Sequence, residues 1–243
     1  VTCEGHRMVL SFHDNQYGRL ALYVTVTLKE ESLEFTYRSS GEVPVKSITL
    51  LDHALDMLGT DAGYLLVPVR LGLLIPSDSG KAFTHRFGTY DYEGCHMAML
   101  GAVKNGGALL VTWDDPYVIS EVNSEIDQGE QKLTASLILS KSADTVHIHV
   151  LGSGNLNTIA QAYRELARGK GWLVPWKKKL EQDPKRAELF GAINFKLWHA
   201  LARRIDEDLN EISVNVEWTF DEVAQIAEHL KNDLDLERVL FIL

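Results

Sequence analysis

The run Arg19-Leu20-Ala21-Leu22-Tyr23-Val24-Thr25-Val26-Thr27-Leu28, the polar Lys29-Glu30-Glu31-Ser32 and then Leu33-Glu34-Phe35-Thr36-Tyr37-Arg38 decide the fold class. Both outer runs are rich in β-branched and aromatic residues, which fit a pleated, half-buried surface. The second alternates strictly, so Leu33, Phe35 and Tyr37 fall on one face and Glu34, Thr36 and Arg38 on the other. Two such runs around a short polar turn read as an antiparallel hairpin with one wet side.

The same grammar extends in both directions. Met97 to Val103, then Asn105-Gly106-Gly107, then Ala108 to Trp113 reads as a second hairpin, because Asn-Gly suits a turn in which φ must be positive. Leu133 to Leu139 and Thr145 to Leu151 read as a third pair around Ser140-Lys141-Ser142-Ala143-Asp144. Some ten strands between Tyr17 and Ser153, with no helical period among them, predict about two packed antiparallel sheets.

The pattern changes at Gly152-Ser153-Gly154-Asn155, a polar junction. In Leu156 to Arg168 the residues Ile159, Ala162, Tyr163 and Leu166 recur at steps of three and four, which predicts an amphipathic helix ending near Gly169. Lys170 to Lys185, with Pro175 and Pro184, reads as a linker along the surface. Within Ala187 to Trp198, Phe190-Gly191-Ala192-Ile193-Asn194-Phe195 reads as a short buried parallel strand. Thr219 with Glu222 three residues on forms a capping box, opening a helix whose apolar face is Val223, Ile226, Ala227 and Leu230. Arg238-Val239-Leu240-Phe241-Ile242-Leu243 is apolar on both faces, as a strand covered on both sides of a parallel sheet would be. Strand, helix, strand is a β-α-β unit, which packs as part of a larger parallel sheet. An apolar strand edge at Leu243 would invite unwanted pairing, so the fold is expected to continue past it. The reading is therefore mainly β with a C-terminal α/β segment: a sandwich over 1–154, helix and linker over 155–189, and the first β-α-β elements over 190–243.

A chain of 243 residues, 45% of them hydrophobic, can hold two cores of ordinary size. Its 24 basic and 34 acidic residues leave a formal charge of -10, which opposes attraction to phosphate backbones. Lys177-Lys178-Lys179 near Lys185-Arg186 is flanked by Glu181 and Asp183 and reads as a solvated helix face, so no nucleic-acid partner is expected. No apolar run is long enough to span a bilayer. Cys3 and Cys95 lack the paired spacing of a zinc site and read as two buried free thiols, with a single bridge open as an alternative. Compartment stays open, including secretion from, or a periplasmic location in, a bacterium.

Gly63-Tyr64-Leu65-Leu66-Val67-Pro68 with Gly72-Leu73-Leu74-Ile75-Pro76 resembles a segment of the endo-α-N-acetylgalactosaminidase-like glycoside hydrolases. So do Ala162-Tyr163-Arg164, Gly191-Ala192-Ile193-Asn194 and Thr219-Phe220-Asp221-Glu222-Val223, in that order. Val69-Arg70-Leu71 departs from the small residues usual in that family. The resemblance implies a galactose-mutarotase-like supersandwich leading into a (β/α)8 barrel. It also implies hydrolysis of an O-glycosidic bond by an Asp nucleophile and a Glu acid/base on middle barrel strands. Those strands are not in this sequence, so no catalytic residue is carried over, and the chain alone is expected to be inactive.

Retaining glycosidases need two carboxyl groups about 5 Å apart, and no acidic pair here announces itself. Asp114-Asp115 before Pro116 reads as a turn, and Asp206-Glu207-Asp208 as a solvated loop. Barrel sites lie at the carboxyl ends of strands, which singles out Lys196, Trp198 and His199, and, more weakly, Glu217 and Trp218. Of these, Lys196, Trp198 and Trp218 are the candidate sugar contacts: Trp stacks on a sugar face while Lys donates to hydroxyls. Two rival readings stay open. Tyr64, Tyr90, Tyr92 and Trp113 are stacking candidates for a carbohydrate-binding module. His147 and His149, on one strand face, with His96 on another strand, are general-acid candidates for a mutarotase-like epimerase. No cofactor is expected, and neither a zinc set nor the alternating acidic pattern of a calcium loop is present.

Overall fold

The structure, a computed structural model, describes residues 1–14, 20–41, 44–91, 94–140, 145–197, 200–208 and 210–242, with the backbone alone at 200–203. The chain divides into two compact units, Val1–Lys170 and Gly171–Leu243. Among the described residues no helix is long and apolar enough to cross a membrane.

Four antiparallel strands open the first unit: β1 (Thr2–Glu4), β2 (Arg7–His13), β3 (Leu20–Leu28) and β4 (Leu33–Gly41). β3 and β4 are the hairpin read from the sequence, in register Val24↔Tyr37 and Val26↔Phe35. The β1–β2 hairpin escaped that reading because a three-residue strand carries too little alternation to be recognised. Ten more follow: β5 (Ser47–Leu50), β6 (Met57–Leu58), β7 (Gly63–Val67), β8 (Leu73–Pro76), β9 (Phe83–Phe87), β10 (Met99–Lys104), β11 (Gly107–Trp113), β12 (Ile119–Asp127), β13 (Glu130–Ser140) and β14 (Thr145–Ser153).

They form a nine-stranded sheet in the order β1-β2-β3-β4-β14-β11-β10-β7-β8 and a five-stranded sheet, β5-β13-β12-β9 with β6 beside β13. The β10–β11 hairpin turns on Asn105 and Gly106, both at positive φ, 50° and 81°. The expected pairing of Leu133–Leu139 with Thr145–Leu151 does not occur. β13 pairs with β12 and β5, whereas β14 runs between β11 and β4 in the other sheet. Leu133, Ala135, Leu137 and Leu139 of β13, and Val146 and Ile148 of β14, all enter the core between the sheets. Alternation tells which face is buried; it does not tell which strand is the neighbour.

That core also holds Met57, Leu65, Leu100 and Trp113 and defines an antiparallel sandwich. The Tyr37 hydroxyl donates to the Ser140 carbonyl, tying β4 of one sheet to β13 of the other. A second, smaller core lies on the outer face of the large sheet, beneath α1 (Leu156–Gly169). Asn155 caps α1 through its side chain, and the Thr158 hydroxyl accepts from the Asn155 N–H. The face expected from periodicity is the one buried: Ile159, Ala162, Tyr163 and Leu166 pack with Met99, Val103, Ala108 and Leu110. Ile159 is fully buried, which stabilises by about 1.5–3 kcal/mol. The middle of the large sheet is thus covered on both faces.

The second unit holds α2 (Trp176–Gln182), a 3-10 turn at Pro184–Leu189, β15 (Ile193–Lys196), β16 (Ala200–Ile205), β17 (Glu211–Val216), α3 (Phe220–Asn232) and β18 (Val239–Ile242). The expected linker therefore contains a short helix, with no buried residue. β15 and β18 pair in parallel, Phe195 opposite Phe241 with ring centroids 5.9 Å apart. An antiparallel β16–β17 hairpin stands between β15 and α3. The Thr219–Glu222 capping box is formed, and α3 buries Val223 and Leu230. β18 is not covered on both faces: Val239 and Phe241 are half-buried, but Leu240 and Ile242 are 39% and 46% exposed. Two parallel strands joined through a helix do not by themselves make a barrel.

Candidate functional site

β11 and β14 pair with Thr112 opposite His147 and Leu110 opposite His149, so all four side chains face the side on which α1 lies. The two imidazoles stack with centroids 6.1 Å apart. His149 Nε2 lies 3.3 Å from the Thr112 hydroxyl. Asp114, one residue past the end of β11, receives Lys170 Nζ at 2.6 Å on Oδ1, while His147 Nε2 stands 3.7 Å from Oδ2. Lys170 is there because α1 runs along the outer face of the sheet and ends beside this strand terminus.

A groove of about 730 Å³ opens along the cluster. Its walls are Glu30 and Glu31 from the β3–β4 turn, His149 to Leu151 of β14, and Glu165, Gly169 and Lys170 of α1 and its cap. The His149 pKa is held below the usual 6.5, first by burial of the ring, then by the neighbouring His147, with Glu31 opposing and Lys170 adding to the effect. His149 thus stays neutral near neutral pH and can accept a proton or a hydroxyl hydrogen. A neutral imidazole and a carboxylate lining one groove are the parts of a general acid–base pair. Among the described residues no group of three His, Cys, Asp or Glu side chains can hold a metal ion.

Sequence reading singled out His147, His149 and Asp114 but assigned Asp114 to a turn. Asp115 makes that turn, its Oδ1 accepting from the Tyr117 N–H at 2.7 Å. Thr112, Lys170 and Glu31 were missed, because strand register and the course of α1 bring them in and no local motif announces either. His96 is not on a strand; it precedes β10, and its N–H donates to the Pro68 carbonyl. Trp113 is 1% exposed within the core and cannot stack on a ligand. The Tyr64 hydroxyl accepts from Leu156 N–H, which binds it to the start of α1. Tyr90 is exposed, and Tyr92 lies outside the described residues.

In the second unit Lys196 is the exposed last residue of β15, and Trp218, 39% exposed, follows β17 and precedes the cap of α3. They close different elements, and the described contacts do not join them. Trp198 and His199 lie outside the described residues. Glu217 accepts from the Asn215 side chain. Asp206 accepts from the backbone of Asp208 and Asn210, and these bonds lower its carboxyl pKa, as in a turn-forming loop residue.

The thiols differ from expectation in one respect. Both are free, but only Cys95 is buried; Cys3 is exposed on β1, an edge strand.

No family model and no curated protein matches the chain by sequence. Solved structures do match it in shape. The alpha-N-acetylgalactosaminidase NagBb from Bifidobacterium bifidum, in its GalNAc complex, aligns with TM-score 0.64 and 12% identity over 98% of this chain and 42% of that one. Its ligand-free form aligns at 0.61 and 12%, over 98% and 43%. Its Gal-NHAc-DNJ complex aligns at 0.60 and 11%, over 98% and 42%. At this identity the likeness is one of fold, and the chain spans less than half the length of the structures it matches.

Proposed function

We propose that this chain is the sandwich-bearing part of a glycoside hydrolase acting on O-glycosidic bonds, and that residues 190–243 open its (β/α)8 barrel. The observation that carries the reading is the succession of a two-sheet sandwich, a helix on its outer face and a parallel β15–β18 pair joined through α3. That succession accompanies the fold match to a glycosidase over 98% of the chain. In this reading the catalytic Asp and Glu belong to later barrel strands, and Lys196, Trp198 and Trp218, all within residues 190–243, contact the sugar. The partner is a carbohydrate. The test is hydrolysis of p-nitrophenyl α-N-acetylgalactosaminide by the full-length gene product beside residues 1–243. Activity confined to the former is expected. Turnover by residues 1–243 alone, or by neither protein on any of a panel of aryl glycosides, overturns the reading.

One observation favours a second reading, a mutarotase-like epimerase: neutral His149 and the Glu31 carboxylate line the same groove. It requires that residues 1–243 interconvert the anomers of a free sugar, followed by NMR, and that His149→Ala and His147→Ala slow the exchange without changing the melting temperature. An interconversion rate equal to that in buffer removes it.

A further inference from the structure

The antiparallel register of β12 on β9 sets Ser120 opposite Phe87, which places the loop after β9 beside the loop before β12 at one end of the small sheet. The first loop presents Tyr90 and the second Tyr117. Their rings meet with centroids 5.6 Å apart and planes tilted by 43°. Both stand in solvent, 73% and 61% exposed. Two large rings held together in water forgo the burial that usually justifies their size.

Local hydrogen bonds hold the described residues of both loops. Asp91 Oδ2 accepts from the Gly88 N–H at 2.9 Å, and the Gly94 N–H donates to the Asp91 carbonyl at 3.0 Å. A Cβ on Gly94 would lie 1.7 Å from the Gly88 carbonyl oxygen, so the loop closes only with glycine there. On the other side Asp115 Oδ1 accepts from Tyr117 N–H at 2.7 Å, and Val118 N–H donates to the Asp115 carbonyl at 3.2 Å. Each carboxylate keeps a second oxygen with no protein partner among the described residues.

We propose that Tyr90 and Tyr117 form a stacking platform for a pyranose ring, with Asp91 and Asp115 accepting hydrogen bonds from its hydroxyls. A pyranose offers both required chemistries: C–H groups on one face, attracted to the negative faces of the rings, and hydroxyl donors at its rim. A proline-rich peptide would also stack, but its tertiary amides donate no hydrogen bond and would leave the carboxylates unpaired. The choice of a sugar rests on the carbohydrate reading above; the location rests on the geometry alone. The platform is separate from the groove that His149 lines, although the loop from Asp114 to Val118 carries both Asp114, beside His147, and Tyr117.

The test is NMR of residues 1–243 carrying ring-labelled tyrosine, titrated with methyl galactoside, methyl glucoside, an oligoproline and choline. The Tyr90 and Tyr117 ring signals are assigned from Tyr90→Phe and Tyr117→Phe, which retain the stacking faces. The platform requires those two signals to shift with at least one sugar. Tyr90→Ala and Tyr117→Ala should each weaken binding about three- to tenfold with the melting temperature unchanged. Tyr→Phe should keep the affinity. Sugar binding that moves neither ring and survives both alanine variants overturns the platform while leaving the carbohydrate reading intact. Ring shifts with oligoproline or choline but with neither sugar overturn it as well. Absence of binding to either sugar overturns the platform, and the hydrolase reading is then judged by its own aryl-glycoside assay.

Discussion

At the scale of single residues, the informative groups are those whose chemistry is altered by where the fold puts them. His149 takes a proton less readily in the folded chain than in the unfolded one, since its folded pKa lies below 6.5. The unfolded state therefore binds the extra proton first, and stability falls as pH drops through 6.5 towards the folded value. His149→Gln is expected to flatten that part of the acid limb, read as melting temperature against pH between about 7 and 5. The two thiols make a simpler contrast. Burial raises the Cys95 pKa, partly opposed by its hydrogen bond with Ser120, whereas Cys3 is exposed. A thiolate reagent should label Cys3 rapidly in the native protein and reach Cys95 only on unfolding. Mass spectrometry of labelled peptides checks this, and equal labelling rates would contradict the burial of Cys95.

At the scale of elements, what was legible in the sequence was whatever is local. The Thr219–Glu222 box spans four residues, so its reading needed no tertiary information, and the Glu222 Oε2 accepts from the Thr219 N–H at 2.8 Å. Thr219→Ala should cost about 1 kcal/mol and speed amide exchange in the first turn of α3 well before it affects the sandwich. The face of α1 and the Asn105–Gly106 turn were legible for the same reason. The β12–β13 hairpin was not, although its turn places Gln128 and Gly129 at positive φ, because Gln is an unusual residue there and Asn-Gly the usual signal. The false pairing of β13 with β14 came from treating sequence neighbours as sheet neighbours, when both strands serve one core from opposite sheets. The candidate site divides the same way. His147 and His149 stood out by type and spacing, whereas Thr112, Lys170 and Glu31 join them through register and helix placement, which no short window of sequence encodes.

At the scale of the whole molecule, the division after Lys170 predicts two cooperative units. The first residues of the second unit include Trp172 and Leu173, 57% and 40% exposed, which are chymotrypsin sites. Brief digestion should cut there first, and a protein of residues 1–170 should keep a β-type circular dichroism spectrum and a single melting transition. Loss of that spectrum would mean that the sandwich depends on the second unit for its stability. The large sheet has one further property, which concerns its making. β4 finds its outer neighbour in β14, with Thr36 paired to Thr145, so the edge of the first four strands is satisfied only by a segment synthesised about a hundred residues later. At about 5–20 residues per second that is an interval of several seconds on the ribosome. As β4 emerges the nascent four-stranded sheet has an open edge, and the buried residues of the core between the sheets, Met57 to Ile148, are all still to be synthesised. Expression of this protein should therefore respond to chaperones that act on emerging chains, and to the speed of translation across β5 to β13, more than to changes in the finished fold.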